Sequence, residues 1–166
     1  MFDALKRLFS DLVDRAPAPA FADDDPRLAV AALMFHVVAA DGVVSPVERE
    51  RMVAELARRY RLTIDDARDL ADAARRADLE TAALQRFTGG LERRLPLAER
   101  REIVAALWKV VLADGTIHEF EDNLVWRIAE LLGIEAHERI ALRKTAEADL
   151  EDAALHALAD GGRETS

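Results

Sequence analysis

The chain has 166 residues, 32 acidic against 23 basic, for a net charge of −9, and no cysteine. That length suits one domain with a sizeable core. The acidic balance argues against nucleic acid as a partner. The lack of cysteine removes disulfides, thiolate metal sites and cysteine chemistry, and fits a reducing cytoplasm.

Phe2, Leu5, Leu8, Phe9, Leu12 and Val13 recur at helical spacing, so residues 2–15 read as an amphipathic helix docked on the body. Asp3, Lys6, Arg7, Asp11 and Asp14 break the run, which excludes a secretory signal; with no apolar run long enough for a membrane span, any membrane contact is indirect. Ala16-Pro17-Ala18-Pro19-Ala20 is a stiff linker, and Asp25-Pro26 opens the next helix as cap and first position. Residues 1–25 thus form an N-terminal helix and linker, 26–158 an all-helical domain, and 159–166 a disordered tail.

From Arg27 to Ala40 apolar residues lie almost all round, which marks a buried helix. Helices follow over about 46–60 and from Thr63, with a shorter one from Asp78 that ends by Gly89-Gly90. Ile103, Val104, Leu107, Trp108, Val110 and Val111 then form a second buried helix. Leu124 to Leu132 mark another, closed by Gly133; residues 136–148 give one more, and Ala148-Asp149-Leu150 starts a last one, echoing Ala77-Asp78-Leu79. The sequence therefore predicts an all-α bundle of about eight or nine helices. It is built from an internal duplication, with halves of about 26–90 and 97–158 and pseudo-twofold symmetry. The two apolar helices should cross at the centre, with Phe35 and Trp108 as equivalent core residues.

Two corners repeat one pattern: Asp41-Gly42, then Glu48; and Asp114-Gly115, then Glu121. Asp, Gly, an aliphatic and a Glu at this spacing match the second half of an EF-hand loop. The first half fails, because Val37 and Ala39, or Val110 and Leu112, stand where oxygen ligands are needed. One corner offers two carboxylates, too few for calcium; two corners brought together offer four, enough for a hard divalent ion, calcium or magnesium before zinc. Protons should displace that ion in the ordinary carboxylate range, near ~4. The competing reading is structural: a glycine that ends a helix, and Ser45-Pro46-Val47-Glu48 as a capping box, with Thr116 to Glu119 or His118 serving as the second cap. Capping leaves unexplained why an Asp precedes both glycines.

Other constellations carry less. His36 matches Lys109 in the duplication and reads as a structural histidine. His118 matches Ser45, so both read as caps or as groups behind the ligands rather than as ligands. Neither His118-Glu119 nor His137-Glu138 continues into a zinc-protease motif, and no P-loop or nucleophile elbow is present. An enzyme is disfavoured.

Val38-Ala39-Ala40-Asp41-Gly42…Glu48, Val111-Leu112-Ala113-Asp114-Gly115…Glu121 and the closing Ile128-Ala129-Glu130-Leu131-Leu132-Gly133-Ile134 resemble the TerB-like domain of bacterial tellurite-resistance proteins. The resemblance covers most of 26–158. It implies an all-helical, non-enzymatic domain with a divalent-cation site on Asp41, Glu48, Asp114 and Glu121, a protein partner, and a stress-response setting. With no cysteine, thiol reduction of tellurite is not a chemistry this chain can perform.

Overall fold

The computed structural model describes residues 21–162 apart from 23, 78–80 and 116–117. The expected helix over 2–15 and its linker to Ala20 lie outside the described residues, as do 163–166. Seven helices and no strand occur among the described residues: α1 (Pro26–Val38), α2 (Pro46–Tyr60), α3 (Ile64–Arg76), α4 (Thr81–Arg94), α5 (Leu97–Val111), α6 (Glu119–Leu131) and α7 (Ala136–Gly161).

Local chemistry sets several of these starts. Asp25 accepts the Arg27 N–H (2.9 Å), with Pro26 at the first helical position of α1. Thr63 Oγ1 accepts the Asp66 N–H (3.1 Å) at the start of α3. Such caps satisfy donors that the first turn of a helix leaves without partners.

The centre is α1 against α5. Leu28 to Met34, Val37 and Val38 are buried on α1; Ile103, Val104, Ala106 to Trp108, Val110 and Val111 are buried on α5. Helix α1 packs on α2, α3, α4, α5 and α6, while α5 packs on α1, α2, α4, α6 and α7. Both helices are buried and pack on each other, as the apolar girth predicts. Trp108 is fully buried and meets Trp126 edge to face, with ring centroids 5.8 Å apart. Arg143 of α7 lies over the Trp108 ring and pairs with Asp122 of α6 at 2.8 Å. Phe35 departs from expectation: it is only partly buried at the edge of the core, so its match with Trp108 does not extend to environment.

Helix α4 runs straight through Gly89-Gly90, α7 has no break at 148–149, and residues 159–161 are helical rather than a disordered tail. For α4 the reason is packing. Thr88 and Leu91 flank the glycine pair and are both buried, so packing carries α4 past a local cost of about 1 kcal/mol per glycine. No helix of the described residues is long and apolar enough to cross a membrane.

Candidate metal centre

Both corners turn by the same device. After α1, the Gly42 N–H donates to Ala39 O (2.9 Å); after α5, the Gly115 N–H donates to Leu112 O (3.0 Å). Gly42 has φ +84° and Gly115 +76°, backbone that an L side chain rarely adopts, although no heavy atom lies within 4 Å of a Cβ built at either. The glycines therefore serve backbone shape. They stand three residues beyond the helix-ending Ala39 and Leu112, not directly at the cap.

Asp41 precedes the first of these turns and accepts the Val43 N–H on Oδ1 (3.0 Å). Ser45 then caps α2. Its Oγ accepts the Glu48 N–H (3.1 Å) and its own N–H donates to Glu48 Oε2 (3.0 Å), a complete capping box. This box uses one Glu48 oxygen. The other, Oε1, is buried with no hydrogen-bond partner. Cap partner and site residue, posed as alternatives by the sequence, are therefore compatible on one side chain.

Glu121 is more extreme. It lies in the first turn of α6, is 0 % exposed, and neither of its oxygens has a hydrogen-bond partner. Burial pushes its pKa up from 4.5 to about 8, helped by the charge of Glu48, by a hydrogen bond that protonated Glu121 can share with Glu48, and by Asp41 and Asp114. The other three carboxylates picked out by spacing therefore all act on Glu121. The expectation of ordinary carboxylate titration does not hold for Glu121. It keeps its proton to near neutral pH, because desolvation and three like charges disfavour its ionised form.

His118 joins this group. It is the N-cap residue of α6, yet its side chain makes no capping hydrogen bond. One ligand atom each from Asp41, His118 and Glu121 lie within 4.8 Å of one another, with Asp41 and His118 accessible and Glu121 buried beneath them. A buried carboxylate with no donor, facing further carboxylates, is costly when empty. A cation removes that cost, and the donor set of carboxylates with an imidazole at the rim fits a divalent ion.

The family model of tellurite resistance protein TerB matches residues 27–144. The chain belongs to the TerB family. No curated protein matches it. The crystal structure of a protein of unknown function from Porphyromonas gingivalis is similar to it, at 21 % identity and a TM-score of 0.54, over 75 % of this chain and 91 % of that one. That likeness is one of fold.

The TerB match includes both corners and all five side chains around the site. Spacing alone points to four of them. The fifth, His118, stands where the first corner has Ser45 and so reads from the sequence as a cap or a group behind the ligands. The two differ in use: Ser45 caps its helix and His118 does not. His36 stays apart from the cluster, half-buried near the end of α1, where burial lowers its pKa.

Proposed function

We propose that this TerB protein is a non-catalytic module that binds a divalent cation through Asp41, Glu48, Asp114 and Glu121 and presents that state to a protein partner in the cytoplasm. The observation that carries the reading is Glu121, a fully buried carboxylate with no donor on either oxygen. Oxygen donors of this kind suit calcium or magnesium. The two Asp-Gly corners are read as the equivalent halves of a duplicated unit, each supplying an Asp and a Glu to a shared ion. Exposed apolar side chains near the corners, Val43 and Phe120 (71 % exposed), support a partner surface there. The family's name links the protein to tellurite resistance, and a stress-response role by ion or partner binding needs no cysteine.

Titration calorimetry with calcium and with magnesium tests this, on the wild type and on an Asp41→Asn, Asp114→Asn variant. Asn keeps the turn-forming amide while removing the charge. The wild type should give saturable binding that the variant loses. It should also gain thermal stability by RT ln(1 + [L]/Kd), as for any ligand of the native state alone. A second reading treats the corners as turns in a purely structural interaction module. The complete Ser45–Glu48 box favours it, since capping alone accounts for Glu48 Oε2 and for the Glu48 N–H. Equal heats for the two proteins, with no saturable binding, would establish that reading instead. A metal-dependent hydrolase ranks third; it would need water on the ion in an open cleft.

A further inference from the structure

We propose that His118 is a direct ligand of this ion and turns the site from a calcium or magnesium cage into one that prefers a zinc-class ion. The inference rests on the cation reading above and specifies which ion the site selects.

The first observation is position. A ring nitrogen of His118 and one oxygen each of Asp41 and Glu121 lie within 4.8 Å of one another. Zinc bonds to imidazole and carboxylate are about 2.0–2.2 Å in a tetrahedral site, so two donors on one zinc ion stand about 3.5 Å apart. The required closure is at most about 1.3 Å. Asp41, on an exposed turn held by its own Oδ1 contact with the Val43 N–H, can supply it.

The second observation is what His118 leaves undone. Ser45 and His118 occupy the same place, each the N-cap of the helix that follows its corner, with Glu48 and Glu121 three residues on. Ser45 spends its side chain on the Glu48 N–H. His118 makes no capping bond and so forgoes that contribution to the start of α6. One of its ring nitrogens lies beside Asp41 and Glu121 instead.

The third observation is the floor. Glu121 is wholly buried, and both of its oxygens are without a donor beneath that ring. Acid groups alone would not define a ligand; a fully buried acid whose two oxygens find no protein donor does.

The chemistry then selects. Calcium and magnesium take oxygen donors, and a neutral imidazole adds little to their binding. Zinc and its neighbours bind imidazole nitrogen strongly. One nitrogen at the mouth should therefore raise zinc-class affinity while leaving calcium and magnesium affinity nearly unchanged. The oxygen quartet suffices for a hard ion, and His118 sets the preference.

Zinc, cobalt, calcium and magnesium are each titrated into chelator-treated wild type, His118→Ala and His118→Asn. Cobalt is followed by its visible absorption. Asn is a strong N-cap residue, so that variant should fold at least as well as the wild type. Both substitutions should weaken zinc and cobalt at least as much as loss of a ligand's outer partner does, about 10–100-fold. Calcium and magnesium should change little. In the wild type the His118 ring resonances should shift on zinc addition and stay put on calcium addition. If zinc and cobalt affinity are unchanged in His118→Asn, or if all four ions weaken equally, His118 is not a selective ligand; the cation reading survives either result. If no ion binds the wild type, both proposals fall.

Discussion

Replacing Glu121 by Gln should stabilise the cation-free protein, and by more as the pH rises. Burial and the neighbouring carboxylates push Glu121 from 4.5 to about 8. In that window the native state holds a proton that the unfolded chain has lost, so stability falls with rising pH. Stability is full below the unfolded value and is lost progressively as the pH climbs to the folded one. At 1.36 kcal/mol per unit the whole window is worth at most about 5 kcal/mol, and water reaching the site past Asp41 and His118 brings the expected loss to about 2–3 kcal/mol. Gln keeps the shape, cannot ionise, and can donate an amide hydrogen toward the unpartnered Glu48 Oε1. The assay is urea unfolding followed by circular dichroism, with chelator present, at about pH 5 and about pH 7.5, near the two ends of the linkage window. The measured quantity is the difference between variant and wild type, which removes groups common to both. It should grow by about 2 kcal/mol across the interval. A difference that stays constant with pH would refute the placement of Glu121 as a desolvated acid among three others. Saturating divalent cation should reverse the order by stabilising only the wild type.

Three further outcomes follow from packing and backbone. Trp108→Ala should cost about 3–5 kcal/mol by denaturant unfolding, because the ring is fully buried between Trp126 and Arg143. Gly133→Ala should lower the melting temperature: Gly133 has φ +75°, and a Cβ there would stand 2.8 Å from the Arg100 Nη1 that donates to Leu132 O. Gly90→Ala should raise stability by about 0.5–1 kcal/mol, since it lies inside α4 with nothing within 4 Å of an added Cβ.

The all-helical architecture was legible because its signals are periodic and redundant. A helix as apolar as Arg27–Ala40 has nowhere to go but the middle, and a second one of the same kind must meet it. The carboxylates were legible because Asp-Gly with a Glu at the seventh residue recurs twice. Their approach was not, since it depends on how α1 and α5, which lead into the two corners, pack on each other. His118 shows the limit most clearly. At an N-cap position the side chain can turn back to its own helix or away to a neighbour, and no local pattern separates these. Ser45 turns back and His118 turns away. Gly89-Gly90 misled for the opposite reason: a strong local stop was overridden by the burial of Thr88 and Leu91 on either side.

Glu48 places Oε2 on the Ser45 N–H and keeps Oε1 buried without a hydrogen-bond partner. An ion bound as proposed would draw on the same carboxylate as the opening turn of α2, so a change in one hold would register in the other. An ion that pulled on Glu48 would strain the Ser45 amide, and the entry angle of a helix packed on α1, α3 and α5 would move with it. Helix α2 would then be a lever with its short arm at the ion. The exchange rate of one backbone proton, at Ser45, would then serve as a gauge of occupancy that needs no knowledge of the ion.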